Sequence, residues 1–165
     1  MGFSFLIFDL DGTLIDSQVD ITSAINLVRR RYGLKYLSVG QVRSYLGGGI
    51  SRLIDKVIYE EKKIDRLEVE ELFRFYYGKC LTDTTVMYKG VANMLEVLKD
   101  KSKAVLSNKG ELFSCEILSR LKISDYFIKV FGGDSVMGLK KPGPGPIMEL
   151  IKITNSDISK TVMIR

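Results

Sequence analysis

The stretch Phe3-Ser4-Phe5-Leu6-Ile7-Phe8-Asp9-Leu10-Asp11-Gly12-Thr13 carries an apolar run directly into two aspartates spaced two residues apart. A short apolar run ended by Asp and Gly reads as a buried strand followed by a turn. In a strand, residues i and i+2 project to the same side, so Asp9 and Asp11 converge on one point if the backbone stays near-extended between them. Gly12 then lets the chain leave through a dihedral that few other residues tolerate. Taken alone, the phrase is also an ordinary strand with an Asx-type turn. The rest of the chain decides between the two.

After this strand, residues 17 to 83 show helical periodicity and no convincing strand, which predicts an all-helical insertion. Ser17 is placed to cap its first helix, with Asp20 completing a capping box, and Ile21, Ala24, Ile25 and Val28 form one apolar stripe before Gly33. Ser38 is placed to cap a short helix to Leu46. Gly47-Gly48-Gly49 breaks the pattern, and Ile50, Leu53, Ile54, Val57 and Ile58 start a new stripe. A fourth helix runs from Asp65 towards Tyr77, with Leu67, Leu72, Phe75 and Tyr76 as its face.

From Gly90 the pattern alternates. A helix with Val91, Met94, Leu95 and Leu98 precedes a strand from Ala104 to Leu106. A helix with Leu112, Ile117 and Leu121 precedes a strand near Ile128 to Phe131, and a helix from Pro144 to Ile153 precedes a last strand, Val162 to Ile164. Such alternation implies right-handed crossovers and a parallel sheet. Ligands gather at the carboxyl ends of strands in these sheets. Those ends carry Asp9 and Asp11, then Ser107-Asn108, then the loop leading to Lys141.

Composition narrows the chemistry. The 165 residues contain no histidine, which removes Ser-His and Cys-His nucleophile pairs and histidine metal sites. Acid-base work falls to carboxylates or lysines. Cys80 and Cys115 are isolated and read as reduced, part-buried thiols. The net charge of +5 suits an anionic ligand, but Arg29-Arg30-Arg31 and Lys62-Lys63, the latter beside Glu60-Glu61, read as solvated helix faces or ends. No basic stripe interleaved with aromatics suggests nucleic acid, and no apolar run is long enough to span a bilayer. A cytoplasmic chain is the expectation, with no membrane or nucleic-acid partner and an open oligomeric state.

Asp9-Leu10-Asp11-Gly12-Thr13-Leu14, Val105-Leu106-Ser107-Asn108-Lys109 and Lys141-Pro142-Gly143-Pro144, with Gly132-Gly133-Asp134 ahead of the last, together resemble the haloacid dehalogenase superfamily of aspartate-nucleophile phosphohydrolases. The resemblance is to its phosphoglycolate-phosphatase-like branch, and it spans the chain. It implies an α/β, Rossmann-like parallel three-layer sandwich over residues 1–15 and 86–165, with an all-helical cap over 16–85 inserted after the first strand. It further implies a magnesium-dependent phosphatase acting on a small phosphorylated metabolite. Asp9 would be the nucleophile and Asp11 the acid and base, with the Asp9 carboxylate and the Asp11 main-chain carbonyl as Mg2+ ligands. Ser107, Asn108 and Lys141 would bind phosphate, and Gly47, Gly48 and Gly49 would form the cap's substrate-facing loop. A sugar-phosphate mutase of the same superfamily and a non-catalytic binding protein on the same fold are the alternatives.

The family's fourth motif places acidic residues directly after the strand that Val162-Met163-Ile164 resembles, and here Arg165 follows instead. Asp157 precedes that strand and lies at its wrong end. The expectation is a piece of a longer phosphatase, impaired by loss of the last metal-ligand loop, with a short natural protein that has abandoned the chemistry as the competing account.

Overall fold

The computed structural model describes residues 2–59 and 64–165. The expected polar run at Glu60-Glu61 and Lys62-Lys63 lies outside the described residues. In chain order the elements are β1 (Phe5–Phe8), β2 (Ile15–Asp16), α1 (Gln18–Arg31), α2 (Val39–Tyr45), α3 (Ile50–Val57), α4 (Arg66–Lys79), β3 (Val86–Met87), α5 (Val91–Val97), β4 (Ser102–Leu106), α6 (Glu111–Arg120), β5 (Lys129–Phe131), α7 (Gly145–Ile153) and β6 (Thr161–Ile164). They divide into two compact units, Met1–Asp16 with Val86–Arg165, and Ser17–Thr85.

The first unit is built on a parallel sheet of strand order β5-β4-β1-β6. β1 pairs on one side with β4, Phe5 opposite Ser102, and on the other with β6, Phe8 opposite Ile164. All of β1 is buried, as its continuous apolar run requires of a central parallel strand. The chain steps outward from β1 to β4 and β5, then crosses back to β6. Right-handed crossovers therefore place α6 and α7 on opposite faces, which gives the three-layer α/β arrangement. Phe5, Ile7, Ala104, Leu106 and Phe131 pack with Leu150 and Ile151 of α7 on one face. On the alternate face Phe8 meets Phe127 edge-on, with ring centroids 6.2 Å apart. β2 and β3 form a separate two-residue antiparallel ribbon, too short to leave a periodic signal in the sequence.

Lys103 breaks the apolar pattern of β4 yet is fully buried. Its ammonium donates to the carbonyls of Leu98 and Lys101, which close the end of α5, where a cation complements the helix dipole. Burial pushes this lysine's pKa down, partly offset by Asp100.

The second unit consists of α1 to α4. The α1 stripe Ile21, Ala24, Ile25 and Val28 is buried, and the Ser38–Gln41 capping box opens α2. Other expectations fail for identifiable reasons. Ser17 makes no side-chain cap on α1, and the Asp20 carboxylate that would complete the box is bound instead to Thr84 and Thr85. Arg29 is buried, its guanidinium donating to the main-chain carbonyls of Lys35, at 2.5 Å, and Val57, so it is an internal strut and no part of a solvated face. In α4 the buried stripe is Val69, Phe73 and Tyr77, spaced by four, while Leu67 and Phe75 are exposed. Leu112 of α6 is likewise exposed, and the buried positions are Ser114, Ile117 and Leu118. Cys80 is half-buried as expected, but Cys115 is exposed. Asp157 accepts from the Ser159 main chain at 2.9 Å, capping the short 3-10 turn before β6.

Candidate active site

The site is made by loops at the carboxyl ends of β1, β4 and β5. Asp9 continues the ladder by one bond, its N–H donating to the carbonyl of Ile164 at 2.9 Å. The chain then tightens around the carbonyl of Leu10, which accepts from Leu14 at 2.9 Å and from Thr13 and Ile15 at 3.2 Å each. Gly12 takes a φ of 84° in this turn, a value that strains any residue with a Cβ. Leu10 and Leu14 are buried, while the Asp9 and Asp11 side chains retain 23% and 25% of their exposure. The turn sinks its leucines and leaves its carboxylates reachable.

Each carboxylate faces a lysine from another loop. Lys141 Nζ lies 2.5 Å from Asp9 Oδ1, and Lys109 Nζ lies 3.1 Å from Asp11 Oδ1. Asp9 Oδ1 also accepts from the Leu10 N–H at 2.8 Å. Both lysine side chains are only 7% exposed, so these pairs are shielded far more than a surface ion pair. Burial lowers the Lys141 pKa, and the attraction of Asp9 opposes that shift without cancelling it.

Ser107 is buried, its N–H donating to Phe131 and its Oγ accepting from the Lys109 N–H at 3.1 Å. Asn108 uses its side-chain amide on the main chain of Lys141, in both directions. Behind this loop lie Gly132 and Gly133. A Cβ on Gly133 would sit 2.5 Å from the Asn108 carbonyl oxygen, and one on Gly132 would sit 2.1 Å from the Glu111 nitrogen. Only glycine allows that approach, which accounts for the Gly-Gly pair seen in the sequence. Asp134 accepts from the Glu111 N–H at 2.8 Å at the start of α6, joining the β5 loop to the β4 loop. Asp9, Asp11, Ser107, Asn108 and Lys141 thus all lie in the first unit. Gly47, Gly48 and Gly49 lie in the second, between α2 and α3, with Gly49 at the N-terminus of α3.

Sequence reasoning gave Lys109 no role. Its signal was only its place directly after Ser107-Asn108, and a lone lysine in a loop is usually solvated. Among the described residues no group of three or more His, Cys, Asp or Glu side chains stands close enough to hold a metal. Asp9 and Asp11 still offer hard oxygen donors, and magnesium is commonly held by one or two carboxylates together with water and a substrate phosphate. The donor chemistry fits that ion.

The family model for haloacid dehalogenase-like hydrolases matches residues 6–165. The chain belongs to that family. Among curated relatives, a phosphoglycolate phosphatase of Aquifex aeolicus is 37% identical over 161 residues, spanning 96% of this chain and 74% of the relative. A phosphoglycolate phosphatase of Neisseria meningitidis is 34% identical, spanning 95% of this chain and 69% of the relative. A crystal structure described as a predicted phosphoglycolate phosphatase of Haemophilus somnus superposes with a TM-score of 0.91 at 28% identity, over 98% of this chain and 76% of that one. This haloacid dehalogenase-like hydrolase is accordingly an enzyme of phosphatase type, phosphoglycolate-phosphatase-like in sequence and fold. No helix among its described residues is long and apolar enough to cross a membrane.

Proposed function

We propose that this haloacid dehalogenase-like chain hydrolyses a small phosphorylated metabolite of the phosphoglycolate kind, in the cytoplasm, through an aspartyl-phosphate on Asp9. The observation that carries the reading is the Lys141–Asp9 pair at 2.5 Å, which puts a shielded cation against the carboxylate that would attack. A carboxylate approaches a phosphate monoester only where the charge of both is offset.

Among the described residues the Leu10 N–H and Lys141 Nζ both meet the Asp9 carboxylate at Oδ1, and Oδ2 is the oxygen we assign to attack. In the first step Oδ2 bonds to phosphorus and the bond from phosphorus to the leaving oxygen breaks, with Asp11 giving that oxygen its proton. In the second, water attacks the aspartyl-phosphate, Asp11 takes the water's proton, and the bond between phosphorus and Asp9 breaks to release inorganic phosphate. Lys141 holds Asp9 in line and offsets phosphoryl charge, and the Ser107 hydroxyl is assigned to a phosphoryl oxygen. The Asp9 carboxylate and the Asp11 main-chain carbonyl are the groups we assign to Mg2+. When bound, that ion would further offset the charge of the phosphoryl oxygens. The helical unit, Ser17–Thr85, is assigned the role of a substrate-selecting cap, with Gly47, Gly48 and Gly49 in its specificity loop.

The test is release of inorganic phosphate from phosphoglycolate, p-nitrophenyl phosphate and a hexose phosphate, with Mg2+ and with EDTA. Magnesium-dependent release, fastest from the carboxylated substrate, is the expected result. Isomerised hexose phosphate without phosphate release points to the mutase reading instead. No turnover combined with magnesium-dependent vanadate binding leaves a binding protein.

A further inference from the structure

We propose that Asn108 is a positioning residue that sets Lys141 beside Asp9, and that its side-chain amide does this in place of binding phosphate. The amide donates from Nδ2 to the Lys141 carbonyl at 3.1 Å and accepts at Oδ1 from the Lys141 N–H at 3.0 Å. The orientation of the amide is dictated by these partners, since a peptide N–H only donates and a peptide carbonyl only accepts. One side chain thereby pairs both main-chain groups of a residue 33 positions away, on the loop after a different strand.

Asn108 is itself held. It is 9% exposed, its carbonyl is approached closely by Gly133, and the Gly133 N–H donates to the Lys109 carbonyl at 2.8 Å. The brace thus runs from the β5 loop through the β4 loop to the segment carrying Lys141. A lysine ammonium sits at the end of a flexible four-carbon stem, so its placement depends on a fixed Cα. Asparagine suits this task because it supplies one donor and one acceptor at the spacing of a peptide group. Aspartate keeps the acceptor but sets a carboxylate against the Lys141 carbonyl, and alanine removes both bonds.

The kinetic arm of the test rests on the phosphatase reading, and the second arm does not. In magnesium-dependent hydrolysis of p-nitrophenyl phosphate, Asn108→Ala is expected to lower kcat about 30-fold with KM changed less than about threefold, because displaced catalytic groups lose rate before affinity. On a Lys141→Met background the same change should cost less than about twofold. A full second loss on that background, with weakened vanadate inhibition, would mean direct phosphate contact and overturn the proposal. The second arm is reductive methylation of the full chain with formaldehyde, read by peptide mass mapping. Lys141 should react at least about fivefold faster in Asn108→Ala, and to an intermediate degree in Asn108→Asp, with buried Lys103 as an unchanged reference. Unaltered Lys141 reactivity overturns the brace whatever the enzyme does. If the wild-type chain hydrolyses nothing, the phosphatase reading falls and the methylation rates still decide this one. Should Asn108→Ala fail to fold, Asn108→Asp carries both arms.

Discussion

Asp20 and the Asp9–Asp11 pair show two opposite ways of keeping a carboxylate in a protein. Asp20, in the helical unit, is 2% exposed and accepts from the main-chain N–H and the hydroxyl of both Thr84 and Thr85, at 2.6 to 3.1 Å. Every one of those donors is neutral, and they bind both oxygens. Asp9 and Asp11 are instead about a quarter exposed, and each faces a buried lysine. A carboxylate saturated by neutral donors is fixed in place and has little capacity to change partners. One balanced by a cation, with an oxygen still reachable, can accept a metal, a proton or phosphorus. The difference separates an acid that holds the chain together from acids left available for the chemistry we propose.

The largest expected effect comes from the chemical side of this contrast. Asp9→Asn should lower kcat by about 10³-fold or more and abolish trapping of an aspartyl-phosphate, while the melting temperature moves by no more than about 4 °C. Rapid-quench labelling and calorimetry read the two halves. Asp20→Asn should do the reverse, costing about 3 kcal/mol of stability because the amide turns donors towards donors, while kcat per folded molecule stays within about twofold.

The pH dependence follows with a definite sign. Burial pushes the Asp20 pKa up, but hydrogen bonds from Thr84 and Thr85 outweigh it, and the folded value lies below the ordinary one. The carboxylate therefore contributes its stability above about pH 4 and loses it as pH falls through the folded pKa. Denaturant unfolding should show wild type losing stability over that acid range, and Asp20→Asn should be flatter there. If Asp20→Asn abolished turnover, or Asp9→Asn unfolded the protein, the contrast between the two sites would break.

The same contrast explains what was legible in the sequence. The strand β1 and its two aspartates were readable because burial on both faces demands an unbroken apolar run and because i, i+2 spacing fixes direction. Ser107 and Lys141 follow at predicted strand ends, where loop residues converge. Asp20 was misread as part of a capping box with Ser17, since a local rule sees three residues ahead and cannot see Thr84. The buried face of α4 was misassigned because aromatic residues occur on several sides of that helix, and only packing selects Val69, Phe73 and Tyr77. Arg29 and Lys103 look solvated by composition alone. In each the charged group is received by main-chain carbonyls, those of Lys35 and Val57 for Arg29 and those of Leu98 and Lys101, just ahead of β4, for Lys103. Lys109 belongs to the same class, with an acid supplied by another loop.

A smaller effect tests whether that acid–lysine pairing matters to turnover. Lys109→Met keeps the aliphatic stem and removes the charge 3.1 Å from Asp11. About a tenfold fall in kcat is expected in steady-state hydrolysis, with Lys109→Arg recovering part of it. An unchanged rate would make Lys109 a packing residue with no part in positioning Asp11.

The smallest effect concerns the neighbour that Asp9 gains from β6. The Asp9 N–H reaches the Ile164 carbonyl at 2.9 Å, so residue 165 stands at the same end of the sheet as the two carboxylates. Arg165 acts there as a cation: behind burial, it helps push the Lys141 pKa down, against the attraction of Asp9. Arg165→Asp replaces that charge with a third hard oxygen donor close to the assigned magnesium ligands. Calorimetric titration with magnesium should then show about a fivefold tighter Kd, since ligand charge and number set affinity for hard cations. Tightening would carry the contrast one residue further, marking position 165 as part of the available set. Unchanged or weaker binding would confine that set to the β1 turn and its lysines, and would make the charge at the end of β6 an influence on Lys141 alone.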